Sequence, residues 1–320
     1  MATQQEIMAL IKAHADDDHE RFRSMVICIA ANSAKTSPMF AKTLREVADR
    51  APKTARQFIA LDPQMAELLS ISRPTVGLQE MVLDLETRAR IDRFLLEQTS
   101  REKLVEHGLS PMRKLLFVGQ AGTGKTMMAS AIAHALSLPM LRVQLHGVIS
   151  RYLGETAAKL AKVFDSIRTL RGVYLFDEFD ALAAERAVDG GGQGGEMRRV
   201  VNSLLQFIED DTSESVIVAA TNHHDMLDRA MYRRFDQSIT FPMPTPEVAE
   251  RLVRSRLLWT ADIDWSEVRH AANGVGHADL VSACHHVNKD AVIADRTRIA
   301  TDEIVEAIRA RRHTMVVYDG

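Results

Sequence analysis

The sequence predicts an α/β protein built on a parallel sheet, with a helical module before the sheet and a helical domain after it. Short β-type runs alternate with helical stretches between about residues 81 and 244, and this alternation is typical of βαβ units with helices on both faces of a sheet. Runs such as Val173–Phe176 are apolar throughout, as strands covered on both faces should be. Beyond Pro244 the β-type runs stop and only helical periodicity remains.

Composition limits the class of protein. The 320 residues carry a net charge of −3, with 46% hydrophobic and 26% charged residues, which is typical of a globular chain and argues against disordered and collagen-like classes. The near-neutral charge makes a nucleic-acid partner an unfavoured expectation. There are two cysteines, no apolar run of membrane-spanning length and no signal-peptide pattern. We therefore expect a cytoplasmic protein with no membrane partner.

Both ends of the chain are predicted to be helical. Residues 1–50 hold three short amphipathic stretches and are expected to form a recognition module, whereas residues 51–80 contain three prolines and are expected to be a linker with one short helix. Residues 245–320 predict a helical lid domain that ends in a packed terminal strand within residues 315–320. Its helices are expected near residues 246–259, 265–273, 277–294 and 301–312.

The central domain, residues 81–244, contains the predicted strands. These are Lys114–Val118, Met140–Leu145, Val173–Phe176, Val216–Ala219 and Ser238–Phe241. Ligands of open parallel sheets bind beyond the carboxyl ends of the strands. The residues that follow each strand are therefore the first candidates for a functional site.

A glycine-rich loop follows the first predicted strand. The run GQAGTGKT fits the pattern G-x-x-x-x-G-K-[ST], and a helical stretch follows it. Its glycines allow backbone N–H groups to face phosphate oxygens, and the lysine and the last threonine fit the β/γ-phosphates and Mg²⁺ respectively. The predicted nucleotide-binding residues are Gly119, Gly122, Thr123, Gly124, Lys125 and Thr126.

Acidic and polar residues follow two further strands. Asp177 and Glu178 come directly after Val173–Phe176, so we expect Asp177 to hold Mg²⁺ through water and Glu178 to activate the attacking water. Two residues separate Asn222 from Val216–Ala219. Asn222 is a candidate to orient that water or the γ-phosphate, although an asparagine there is also a common turn former.

Two adjacent arginines, Arg233 and Arg234, follow a helical stretch later in the chain. Alone they would indicate a solvated surface. After a phosphate loop and an acidic pair they become candidates to stabilise charge on the transferred phosphate, a role that a neighbouring subunit can supply in trans.

In combination these motifs resemble those of the classical AAA-type ATPases. GQAGTGKT, YLFDEFDAL and VIVAATNHHDMLDRAMYRRFD resemble, in order, the Walker A motif, the Walker B motif and the second region of homology, and the resemblance covers roughly residues 80–320. It implies ATP and Mg²⁺ as cofactors and a ring, usually a hexamer, in which a neighbour's arginines complete each site. The chain lacks the Pro-Gly that usually separates Arg233 from Arg234. It also carries Gly276 and His277 where the family has serine and glycine.

The run SRYLGE resembles the first pore loop of such rings. The resemblance implies that Tyr152 and Leu153 grip a polypeptide in the central channel and that Gly154 lets the loop move. A helix start with Tyr152 packed on the core is the alternative. The residues and this resemblance together favour a protein remodeller, with any proteolysis supplied by a separate subunit. A nucleotide-gated assembly switch that acts on a protein or nucleic-acid scaffold without threading remains the other function.

Overall fold

The computed structural model divides the chain into two compact units, Met1–Asp62 and Pro63–Gly320. In the first unit the described residues are helical, and Val26, Ile29 and Ala30 are buried on one helical face; the rest of the predicted N-terminal module lies outside the described residues. The structure describes residues 25–26, 29–30, 39, 41–43, 63–148, 153–179, 193–223 and 229–318.

The second unit is built on a six-stranded sheet with the order β1-β3-β4-β5-β2-β6. Strand β1 pairs antiparallel with β3, and the other neighbours are parallel. This confirms the predicted α/β class with a mainly parallel sheet. The strands are β1 Leu69–Ser72, β2 Lys114–Val118, β3 Met140–Val143, β4 Val173–Phe176, β5 Val216–Thr221 and β6 Gln237–Thr240.

Helices cover the sheet and then form the C-terminal part of the unit. A 3₁₀ turn at Leu78–Glu80 and helix α2 precede β2, and α4 starts directly after the glycine-rich loop. The helices are α1 Pro63–Ala66, α2 Leu85–Thr99, α3 Arg101–Glu106, α4 Lys125–Ala135, α5 Leu145–Val148, α6 Leu153–Thr169, α7 Gln193–Asp210, α8 Arg229–Tyr232, α9 Pro246–Arg256, α10 Trp265–Ala272, α11 His277–Ile293 and α12 Thr301–Tyr318. Among the described helices none is both long and apolar enough to cross a membrane.

The three central strands are buried along their whole length. Every residue of β2, β4 and β5 is buried, because helices cover both faces of the sheet. The carboxyl ends of these strands lie side by side, and the Gly119 N–H after β2 donates to the Thr221 carbonyl at the end of β5 at 3.2 Å. The sheet thus brings the residues that follow β2, β4 and β5 to one edge.

The structure corrects the expectation for residues 51–80. Leu69–Ser72 forms an edge strand and pairs with β3, with Ser70 opposite Arg142, where the sequence predicts only a linker with a short helix. The run LSIS has two serines and is four residues long, so its β-propensity is weak and the pairing with a distant strand decides its conformation.

The C-terminal helices pack around a core of their own. That core includes Leu252, Leu280, Cys284 and Ile308, and burial there raises the pKa of the Cys284 thiol to about 12. The sequence predicts a terminal strand within residues 315–320, but the structure continues α12 through Tyr318. This prediction is wrong because adding a turn to an existing helix needs no new nucleus, which outweighs the β-propensity of two valines.

Candidate active site

The glycine-rich loop between β2 and α4 turns through two left-handed glycines. Gly122 has a φ of +75° and Gly124 a φ of +98°, a region that residues with a Cβ rarely adopt. Gly119 serves a different purpose, because a Cβ at that position would clash with the carbonyl oxygen of Phe241. Thr123 is buried, and its hydroxyl donates to the Gln120 carbonyl at 2.8 Å, which fixes the middle of the loop.

Lys125 is a buried cation inside this loop. Its Nζ donates to the carbonyl oxygens of Gly119 at 2.7 Å and Gln120 at 2.8 Å and to Oδ1 of Asn222 at 2.8 Å. A buried ammonium group requires such acceptors. The contact joins the first residue of α4 to the residue just after β5, so the structure brings together Lys125 and Asn222, which the sequence separates by 97 positions.

Asp177, at the end of β4, faces the start of α4. Its Oδ2 accepts hydrogen bonds from the Thr126 hydroxyl at 2.9 Å and from the Arg142 guanidinium at 2.8 Å. The adjacent Glu178 is exposed and has a φ of +53°, which costs about 1–2 kcal/mol in a residue other than glycine. Its N–H donates to Asp177 Oδ1 at 3.1 Å. The two carboxylates therefore occupy one corner of the site at a strained turn.

A cavity of about 540 Å³ joins these residues, and its size is in the range of pockets for small molecules and cofactors. Its lining includes apolar side chains, among them Met81, Val82, Leu252 and Val281, and a polar group of residues that hydrogen bonds connect in pairs. The polar group consists of Gly122, Thr123, Gly124, Lys125, Thr126, Arg142, Asp177, Glu178 and Asn222. A lining of this composition can accept a ligand that has both an anionic part and an apolar part.

The C-terminal helices close one side of this cavity. The Ala278 N–H, in the first turn of α11, donates to the Gly122 carbonyl at 3.0 Å. A Cβ on Gly276 would lie 3.7 Å from that same oxygen, which is an ordinary van der Waals distance, so the beginning of α11 lies beside the loop. His277 lies between these two residues and lines the cavity.

Arg233 and Arg234 are not among the residues that line this cavity. They follow α8, where Arg233 is exposed and the Arg234 Nε lies 3.0 Å from Oε2 of Glu209. Of the predicted pore loop, Leu153 and Gly154 open helix α6, and Tyr152 lies outside the described residues.

Two residues that line the cavity, Arg142 and His277, are not among the site residues that the sequence predicts. Arg142 is the single charged residue in the otherwise buried strand β3, and that break in an apolar run is the signal that could have indicated a functional position. The signal for His277 is weaker: this chain has histidine where the AAA-type ATPases that it resembles have glycine.

The comparisons with known proteins agree with this geometry. Residues 115–243 match the family described as "ATPase family associated with various cellular activities (AAA)". The chain is 32% identical to an uncharacterized AAA family ATPase of Sinorhizobium fredii, over 98% of this chain and 97% of the relative. It is 28% identical to a proteasome-activating nucleotidase of Methanosarcina mazei, over 82% of this chain and 63% of that protein.

A further relative is the 26S proteasome regulatory subunit 10B of Dictyostelium discoideum, which is 29% identical over 65% of this chain and 55% of that protein. The chain thus spans about 55–63% of the length of these two proteasome-associated relatives, whereas it spans nearly all of the Sinorhizobium protein.

Proposed function

Because the chain belongs to the AAA family of ATPases and is an ATP-hydrolysing enzyme, we propose that it forms a homo-hexameric ring. In this proposal the ring remodels or unfolds protein substrates. The observation that carries the proposal is the convergence of Lys125, Thr126, Asp177 and Asn222 on one cavity. A second support is the similarity to ATPases whose names associate them with the proteasome.

In this proposal ATP lies along the cavity with its phosphates beside the polar lining residues. The N–H groups of the loop that holds Gly122 and Gly124 face the phosphate oxygens, and the N-terminus of α4 adds its dipole. Lys125 already bonds carbonyl and amide oxygens, so it can exchange some of these neutral acceptors for phosphate oxygens, which bind an ammonium group more strongly. The apolar lining side chains receive the purine base.

The Thr126 hydroxyl and the Asp177 carboxylate fit a magnesium ion. Their oxygens are 2.9 Å apart within the polar group of lining residues, and oxygen ligands of this kind are those Mg²⁺ prefers. When bound there, Mg²⁺ neutralises charge on the β- and γ-phosphates. Glu178 is exposed beside Asp177, and we assign it the removal of a proton from the attacking water, with Asn222 orienting that water or the γ-phosphate.

Arg233 and Arg234 are proposed to act on the site of the neighbouring subunit. Arg234 pairs with Glu209 of its own chain, whereas Arg233 is exposed, so we assign Arg233 the contact with the neighbour's γ-phosphate. An arginine there stabilises the charge that develops during phosphoryl transfer. Tyr152, Leu153 and Gly154 are proposed to form the loop that grips the substrate in the channel, and a separate protease is the proposed consumer of the unfolded chain.

Site-directed variants test the catalytic assignment. Lys125→Ala should abolish nucleotide binding, and Glu178→Gln should retain binding but stop hydrolysis. Glu106→Gln, an exposed residue at the end of α3, is a matched control that should leave both unchanged. Unaltered turnover in both site variants would refute the assignment.

The ring and its pore need separate experiments. The mass of the Glu178→Gln protein in solution should shift from that of a small species to that of a hexamer on addition of Mg-ATP. Tyr152→Ala should then abolish unfolding of a tagged protein substrate without loss of assembly, while Tyr152→Phe should retain it. Unfolding that survives Tyr152→Ala would favour the switch that acts without threading.

A further inference from the structure

Arg142 is a half-exposed cation beside the proposed site that no step of the proposed reaction uses. The other three residues of β3 are buried, whereas the Arg142 side chain is 50% exposed and lines the cavity. A guanidinium group has five N–H donors. Within the described residues Arg142 forms one hydrogen bond, from Nη2 to Oδ2 of Asp177 at 2.8 Å. Most of its donors are therefore open to a ligand or to solvent.

The hydrogen bond to Asp177 fixes where the guanidinium lies. The same Oδ2 accepts from the Thr126 hydroxyl at 2.9 Å, so Arg142 and Thr126 are bonded to one oxygen atom. In the proposed site Thr126 and Asp177 hold the magnesium ion that neutralises the β- and γ-phosphates, and Glu178 is the next residue in the chain. The guanidinium therefore lies close to the proposed position of the γ-phosphate.

The two other lysine or arginine side chains that line the cavity, in the described part of the chain, have oxygen acceptors elsewhere. Lys125 Nζ bonds three oxygens within the glycine-rich loop and at the end of β5, and Arg256 donates to the Glu80 carbonyl at 2.7 Å. The arginines that are proposed to act in trans do not line this cavity. Arg142 is therefore the cation of this chain that pairs directly with Asp177.

The guanidinium can change partners easily. An ion pair with a half-exposed member is weak, because water screens it. A magnesium ion on the same carboxylate would repel the guanidinium, since both are cations. Phosphate oxygens, in contrast, match the fork of N–H groups on an arginine and accept two short, charge-assisted hydrogen bonds from it. A bound triphosphate thus offers Arg142 a stronger partner than the one it has in the ligand-free structure.

We propose that Arg142 is a catalytic residue that acts in cis: when Mg-ATP binds, its guanidinium leaves Asp177 and donates to the γ-phosphate oxygens in its own subunit. This inference rests on the proposed function, because it needs the γ-phosphate beside Thr126 and Asp177. ADP has no γ-phosphate, so Arg142 distinguishes the two nucleotides. During hydrolysis it stabilises the charge that develops on the transferred phosphate, in addition to the arginine that the neighbouring subunit supplies.

The test is the ratio of the affinities for Mg-ATP and Mg-ADP, measured by calorimetry at saturating Mg²⁺. All proteins in this titration carry Glu178→Gln, so that ATP remains intact. Both nucleotides bring the same ion to Asp177, so the loss of its pair with Arg142 cancels in the ratio. Arg142→Gln should lower the preference for ATP by about tenfold, the usual effect of one charged hydrogen bond, and Arg142→Lys, which keeps the positive charge, should retain part of it. With Glu178 intact, Arg142→Gln should lower kcat by about tenfold at saturating Mg-ATP.

Arg168→Gln is the matched control. Arg168 is 47% exposed and its Nη1 lies 3.3 Å from Oδ1 of Asp165, but it does not line the cavity, so the ratio should stay unchanged. An equal loss of affinity for both nucleotides in Arg142→Gln would overturn the proposal in favour of a contact with the α- or β-phosphate. An unchanged ratio would also overturn it, and would leave Arg142 as a partner of Asp177 only. If the Glu178→Gln protein binds neither nucleotide, the proposed site fails and the role of Arg142 fails with it.

Discussion

Replacement of Arg142 by glutamine tests whether Arg142 and the proposed magnesium ion compete for the carboxylate of Asp177. Oδ2 of Asp177 accepts from both Arg142 and Thr126, at 2.8 and 2.9 Å, and the proposed magnesium site uses this same carboxylate. A guanidinium bound to that oxygen opposes a second cation beside it. We therefore predict that Arg142→Gln lowers the Mg²⁺ concentration required for half-maximal ATP hydrolysis.

The size of this effect follows from the exposure of the two partners. The side chain of Arg142 is 50% exposed and that of Asp177 is 13% exposed, so water screens the pair from one side only. Exposed ion pairs contribute about 0.2–1 kcal/mol, and the mostly buried carboxylate favours the upper part of this range. About 1 kcal/mol corresponds to a decrease of about fivefold in the half-maximal Mg²⁺ concentration.

The assay is steady-state hydrolysis at saturating ATP, with Mg²⁺ varied and the ionic strength held constant. Arg88→Gln is the matched control, because Arg88 is 45% exposed and its Nε lies 2.9 Å from a carboxylate oxygen of Asp92. Both variants remove one positive charge from an ion pair, but Arg88 is not among the residues that line the cavity. Its Mg²⁺ dependence should match that of the wild type.

A rise in the half-maximal Mg²⁺ concentration would refute this reasoning. Such a result would mean that Arg142 holds Asp177 in the geometry that magnesium requires, and that the loss of orientation exceeds the relief of repulsion. An equal fall in Arg88→Gln would also refute it, because the effect would then reflect net charge alone.

Three further predictions concern stability. Gly119→Ala should lower the free energy of unfolding, measured by chemical denaturation, by about 2 kcal/mol because the new Cβ clashes with the Phe241 carbonyl. The loss should exceed that of Gly108→Ala, because Gly108 has a φ of +72° but open space around it. Equal losses would contradict the steric argument. Burial raises the pKa of the Tyr174 hydroxyl from 10.0 to about 12. The contribution of the neutral hydroxyl to the free energy of unfolding is therefore complete below pH 10 and is lost as the pH rises through 12. Over this interval the free energy of unfolding should fall more steeply for the wild type than for Tyr174→Phe. Asn288 joins α11 to the chain at the end of α9 through hydrogen bonds of 2.8 and 3.0 Å. Asn288→Ala should therefore lower the free energy of unfolding by about 2 kcal/mol. A loss below about 0.5 kcal/mol would show that water replaces both bonds.

The parts of the fold that local sequence determines were predictable. β2 and β4 have the predicted bounds, and α11 begins at the predicted residue, because their apolar runs and turn residues are contiguous in the chain. The conformation of the glycine-rich loop was predictable for the same reason, since its glycines and the start of the following helix lie within eight residues. The convergence of Asp177 on Thr126 followed from a general property of parallel sheets, whose strands end at a common edge.

The parts that depend on distant pairing were not predictable. β1 becomes a strand only because Ser70 pairs with Arg142 in β3, and no feature within LSIS distinguishes it from a loop. The ion pair between Arg142 and Asp177 depends on β3 lying next to β4, an order that a single sequence does not reveal. The contact between Lys125 and Asn222 likewise depends on β2 lying next to β5.

The residues that line the cavity come from different parts of the chain, and under the proposed function this division links ATP hydrolysis to the C-terminal helices. Loops that leave β2, β4 and β5 supply most of its polar lining residues, whereas the C-terminal helices supply Leu252 and Val281. In the proposed arrangement, loss of the γ-phosphate would change the contacts of the polar lining residues. The hydrogen bond from Ala278 to the Gly122 carbonyl would then transmit a shift of the glycine-rich loop directly to α11.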